Sequence, residues 1–185
     1  ATEDEDGVVK MYTDFAAAVV VDGKIVAALN DAIQPSITVN VDGEIVETAF
    51  KATKRELKED YGMAGNPYSS DNNGDGKVLE WDEQAKAFEK YVVGKTADEI
   101  EAMTTQEVEG HQISTDEALL SAGCTIQIGD FKGAVVKACR DEQGVSFKSG
   151  ADFTLGVAAK TTAAESTAAT EDEDGVVKMY TDFAA

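Results

Sequence analysis

Asp71, Asn73 and Asp75 alternate ahead of Gly76, and the segment DNNGDGKVLEWD runs from Asp71 to Asp82. Oxygen-bearing side chains at positions 1, 3 and 5, glycine at 6 and a carboxylate at 12 are the pattern of a calcium loop. The alternation lets three short side chains converge on one hard cation, and the backbone carbonyl of Lys77 would add a fourth ligand. Apolar Val78 also falls where such loops carry an apolar residue. Two features depart from the pattern. Asp82 stands where a longer Glu would reach the ion with both oxygens, and Asn66-Pro67 occupies the place of the entering helix. The competing reading is an Asx-rich surface turn leading into a helix at Trp81.

Other chemistry-bearing residues give less. Gly94-Lys95-Thr96 resembles the end of a phosphate loop, but Glu89 stands where the first glycine is required. The spacing fits better with Gly94 ending one helix and Thr96 capping the next. His111 is the only histidine and lacks a nucleophile or thiolate cluster around it. The carboxylates are too many to mark one acid–base pair. Enzymatic activity is therefore not expected. Cys124 and Cys139 would form one disulfide in an oxidising compartment, or remain buried thiols.

The strongest signal is a duplication. Residues 1–17 read ATEDEDGVVKMYTDFAA, and residues 169–185 repeat them letter for letter. Such identity suggests one unit of a longer array plus the start of the next, or an appended copy of the opening strand. In both cases a segment from one end is wanted at the other. The expected partners are copies of the chain itself, joined head to tail.

The formal net charge is -20, from 36 acidic and 16 basic residues. Phosphates would be repelled, so nucleic acid is not an expected partner. The charge suits a solvated surface, cation binding and an extracellular or cell-surface setting. No stretch approaches the ~20 apolar residues of a membrane span.

The elements that must position these residues follow from periodicity. Residues 8–21 alternate apolar and polar as a strand, and Asp22-Gly23 turns them into a second strand over 24–33. Residues 37–41 and 44–50 repeat the device around Asp42-Gly43. Thr53 and Glu56 form a capping box for a short helix toward Tyr61. Trp81, Ala85, Phe88 and Val92 form one helical face; Thr96 and Ser114 open two further short helices. Ile128, Phe131, Val135 and Ala138 mark a last helix, with strands expected again over 145–148 and 152–158. Residues 160–174 read as an acidic linker, or as the loop of a hairpin joining 152–158 to 176–185.

The runs TKRELKEDYGM (53–63), EWDEQAKAFEKYVVGKTADEI (80–100) and SAGCTIQIGDFKGAVVKA (121–138) carry a family resemblance. The chain resembles the repeated domains of secreted, surface-anchored lipoproteins of Gram-positive bacteria, akin to FMN-binding extracellular electron-transfer proteins. In flavin-carrying relatives FMN is attached covalently to Ser or Thr within Asp-x-x-(Ser/Thr)-Gly-Ala-(Ser/Thr). The matching place here is DEALLSAGCT, residues 116–125, where Ser121 and Thr125 are the acceptors the resemblance implies. The order is Ala122-Gly123 rather than Gly-Ala, and the spacing from Asp116 is longer, so the resemblance implies the fold without the flavin.

The expected fold class is α+β, an antiparallel β-sheet of hairpins packed by several short α-helices. Residues 1–151 would form the main domain, and 152–185 a hairpin segment repeating the N-terminus. The expected function is an extracellular structural repeat that builds a cell-surface fibre through a shared or exchanged β-strand; the alternative is an FMN-carrying electron-transfer domain. The assembly strand would be 8–21 with its twin 176–185, and Met11, Phe15, Val19, Met179 and Phe183 would be its inward anchors. The cofactors to be weighed are Ca2+ in the Asp71–Asp82 loop and FMN at Ser121 or Thr125.

Overall fold

A computed structural model describes residues 5–64, 78–108, 110–148, 150, 154–170 and 173–185. In chain order the strands are β1 (Gly7–Lys10), β2 (Thr13–Val21), β3 (Lys24–Ile33), β4 (Ser36–Val39) and β5 (Ile45–Ala49). Helix α1 (Lys54–Leu57) runs into a 3-10 turn at Lys58–Tyr61, then come α2 (Trp81–Val92) and α3 (Ala97–Glu101). The hairpin β6 (Thr105–Val108) and β7 (His111–Ser114) precedes α4 (Glu117–Ser121) and α5 (Gly129–Cys139). The strands β8 (Ala158–Thr167) and β9 (Val176–Ala184) close the chain. The class is α+β, with every named strand pair antiparallel. Among the described residues no helix is long and apolar enough to cross a membrane.

The chain forms two compact units. Unit 1 takes residues 1–13, 32–53 and 158–184; unit 2 takes 14–31 and 54–157. In unit 1, β1, β4 and β5 make a three-stranded sheet in the order β1-β4-β5, and β8 pairs with β9. The β4–β5 turn is set by Asn40, whose Oδ1 accepts from the N–H of Asp42 (3.1 Å) and of Glu44 (2.8 Å). Gly43 takes a φ of +80°, open to glycine without strain. The same residue seats the end of β8. Its carbonyl accepts from Ser166 Oγ at 2.7 Å, and a Cβ there would overlap Ala168.

Unit 2 has the larger core. The face read from α2 is buried as expected: Trp81, Ala85, Phe88 and Val92 are at most 2% exposed. Phe131 from α5 meets Trp81 and Phe88 edge-on, with centroids 5.2 and 5.8 Å apart. Asp22 and Gly23 both have positive φ, the turn that matches strand twist, so β2 and β3 form the expected hairpin. Ile25 exchanges backbone bonds with the α2–α3 connection, donating to Lys95 O (2.9 Å) and accepting from Gly94 N–H (2.7 Å). Thr96 and Glu99 make the expected capping box.

Several expectations are corrected. Of the expected linker, residues 160–167 are instead the body of β8. Their Ala, Lys and Glu are weak strand formers, and nine paired positions on β9 override that preference. Residues 154–157 are irregular, so that strand begins at Ala158. Residues 145–148 are loop, with Val145 93% exposed, and no strand among the described residues pairs with them. The cap of α4 is Asp116 rather than Ser114, since the Asp116 side chain accepts from Ala118 and Leu119. The single strand expected over 8–21 is interrupted at Met11–Tyr12, where its pairing passes from β4 to β3. The β6–β7 hairpin lies where the periodicity predicts no strand.

Candidate functional site: a duplicated strand and a buried polar cluster

The two copies of the duplicated segment pair differently. The first copy lies on β4, with Gly7 opposite Val39 and Lys10 opposite Ser36, then continues as β2 against β3. The second copy is β9, which runs along β8 with Val176 opposite Thr167 and Ala184 opposite Ala158. The β8–β9 ladder shifts register between Thr161 and Ala163, opposite Thr181 and Tyr180. These are the twins of Thr13 and Tyr12, where the first copy breaks from β1 to β2. In the second setting the extra residue, Thr162, belongs to β8, and β9 itself runs unbroken.

The proposed anchors divide. Val19 is buried at 9% exposure, and Met11, Phe15 and Met179 are half-buried. Phe183 is not inward: it is 49% exposed, because Ala159 opposite it is too small to cover the ring. Thr161, by contrast, is buried in β8, and its Oγ1 lies 2.7 Å from Thr181 Oγ1.

Of the calcium-loop residues, Asp71, Asn73, Asp75 and Lys77 lie outside the described residues. Asp82 sits in the first turn of α2, 6% exposed, with Lys86 Nζ at 2.6 Å from Oδ2. The helix start itself is built by Glu80, which forms a reciprocal cap with Glu83. Glu80 also accepts from the backbone N–H of Met63 (2.9 Å) and Ala64 (3.2 Å). One carboxylate thus gathers residues 63, 64 and 80.

Ser121 is exposed at the last turn of α4. Thr125 is buried at 4% exposure, and its hydroxyl donates to Gln84 Oε1 at 3.2 Å. Asp116 accepts from Tyr91 Oη at 2.5 Å, a bond that holds its carboxyl below the usual range. Both cysteines are free thiols, and burial pushes Cys124 up to about 12, which leaves it a poor nucleophile.

A polar cluster in unit 2 was invisible in the sequence. Glu89 Oε1 accepts from the backbone N–H of Asn30 (2.8 Å) and from Arg55 Nη1 (2.7 Å). Burial raises the Glu89 carboxyl despite both bonds. Asp31 Oδ1, from β3, accepts from the N–H of Arg55 in α1 at 3.1 Å. Beside it Asp14 is pushed up to about 6, first by burial, with Lys54 opposing and Asp130 and Asp31 adding to the shift. Lys54 itself lies about 5 Å from the ring centres of Tyr61 and Trp81.

Asp14 gives a pH prediction. A carboxyl whose folded pKa is raised keeps its proton when the unfolded chain has lost it, so stability falls as pH rises from about 4 through about 6. At 1.36 kcal/mol per pKa unit the ceiling is about 3 kcal/mol; partial solvent access reduces the expected effect to about 1–2 kcal/mol. Asp14→Asn should be more stable than wild type at pH 7 and no more stable at pH 4. Urea melts at the two pH values measure this, with Asp182→Asn, the twin position on β9, as the control for loss of one charge. Equal gains from the two variants would refute the account.

No family model, curated protein or solved structure matches the chain.

Proposed function

We propose that this chain is an extracellular structural unit that joins copies of itself head to tail by β-strand pairing, building a fibre at the cell surface. The observation that carries the reading is that one 17-residue sequence occurs twice in the chain, and that Gly7–Lys10 of one copy pair with β4 while Val176–Ala184 of the other pair with β8. A strand edge offers main-chain hydrogen bonds along its length, and alternate side chains select the register. A contact between unlike surfaces that does not close into a ring propagates as a filament. The charge of -20 supports a linear and soluble product, because lateral packing of such units would set like charges together.

The test is the mass distribution of the purified chain. Sedimentation velocity at rising concentration, in about 0.15 M salt to screen the charge, should show a growing series of linear oligomers, and electron micrographs should show filaments with one repeat per chain. Monomers alone at every concentration would sink the reading.

A further inference from the structure

Successive residues of an antiparallel strand turn their N–H and C=O groups to alternate edges. In the first copy the ladder ends with Lys10 opposite Ser36, and one step on the N–H of Met11 donates to Pro35 O at 3.0 Å. Met11 therefore faces β4, and by alternation so do Val9 and Gly7. Val8 and Lys10 turn their backbone groups to the opposite edge, where β1 has no strand neighbour among the described residues.

In the second copy the parity is reversed. The N–H of Val176, the twin of Val8, points at β8 and donates to Thr167 Oγ1 at 3.3 Å. Lys178 and Tyr180 then face β8 by alternation, while Val177 and Met179 face away. The Thr161–Thr181 hydroxyl contact at 2.7 Å agrees, since side chains approach most closely in pairs that exchange no backbone bonds. One sequence thus uses its odd positions for β4 and its even positions for β8. The side chains agree as well: Met11 and Met179 are half-buried, and Val8, Lys10, Val176 and Lys178 are exposed.

Resting on the head-to-tail reading above, we propose that a single copy of the strand serves both neighbours at each junction: β8 of one molecule seats on the open edge of β1 of a second copy. The register is that of the β8–β9 ladder, with Thr167 opposite Val8, Ser166 opposite Val9, Glu165 opposite Lys10 and Ala164 opposite Met11. The junction is a sheet in the order β8-β1-β4-β5, and Glu165 beside Lys10 adds an opposite-charge pair. The strand displaced from β8 is the molecule's own β9, which carries the same residues, so exchange replaces like with like. The balance between closed and joined molecules is then set by concentration.

Engineered disulfides test this in the full-length chain. One chain carries Met11→Cys and another Ala164→Cys, both with Cys139→Ser; they are unfolded together, refolded at high concentration and mildly oxidised. The expected result is a cross-linked dimer whose digest contains a peptide joining positions 11 and 164. A third chain carries Ala164→Cys with Met179→Cys, which fastens β8 to its own β9, and it should stay monomeric until reduced. If wild type associates but the 11–164 link is absent, or the fastened chain associates as readily as wild type, the shared-strand register is overturned and the head-to-tail reading survives. If wild type never associates, the head-to-tail reading falls and takes the register with it.

Discussion

Arg55→Ala is expected to destabilise unit 2 by about 3 kcal/mol at pH 7.5, within the range for stripping one partner from a buried ion pair. The Glu89 side chain is 10% exposed and that of Arg55 21%, with 2.7 Å between Nη1 and Oε1. Removing the guanidinium leaves a carboxylate that burial already holds above its usual range. Glu89 Oε1 then keeps the N–H of Asn30, at 2.8 Å. The variant has an escape, because Glu89 can take up a proton. Raising the folded pKa further means that the lost stability is regained as pH falls, so the cost should shrink clearly between pH 7.5 and pH 5. Glu89→Gln alone should cost under about 1 kcal/mol, since the amide oxygen still accepts from Asn30 and the Arg55 side chain retains access to water. Arg55→Ala with Glu89→Gln should recover most of the loss, a coupling measured by a double-mutant cycle in urea. A double variant no more stable than Arg55→Ala would remove the ion pair from the account.

What could be read from the sequence was what is local. The Asp22-Gly23 turn, the α2 face from Trp81 to Val92 and the Thr96 cap are each written within a few residues, at spacings fixed by backbone geometry. The β8 strand was not legible, because its alternation is hidden in small residues such as Ala159, Thr161 and Ala164, and its pairing on β9 decides the matter. The polar cluster was hidden for a related reason: Asn30, Arg55 and Glu89 meet across separations of 25 to 59 residues. No local pattern announces such a meeting. The duplication falls between these cases. Letter identity marks a strand wanted twice, but which backbone groups each copy turns to which edge depends on partners at Pro35 and Thr167.

Gln84→Ala is expected to cost about 4 kcal/mol, a large share of the roughly 5–15 kcal/mol that holds an ordinary domain folded. Gln84 is 1% exposed on α2 and acts as a surrogate neighbour for the backbone between α4 and α5. Its Oε1 accepts from the N–H of Thr125 (2.9 Å), the N–H of Ile126 (3.1 Å) and the Thr125 hydroxyl (3.2 Å). Its Nε2 donates to Leu79 O at 2.9 Å. Alanine deprives two buried amides of this acceptor, at about 1–3 kcal/mol for each group left unsatisfied, and opens a cavity at a position that is 1% exposed. Gln84→Met separates the two contributions, because it restores volume without an acceptor; it should still lose about 2–3 kcal/mol. Thr125→Val should lose only about 1 kcal/mol, since it removes the weakest of the three bonds and leaves both amides paired. Hydrogen exchange gives a local readout: in Gln84→Met the Thr125 and Ile126 amides should lose protection while those of β8 and β9, in unit 1, keep theirs. Wild-type stability in Gln84→Met would mean that packing alone fixes the connection.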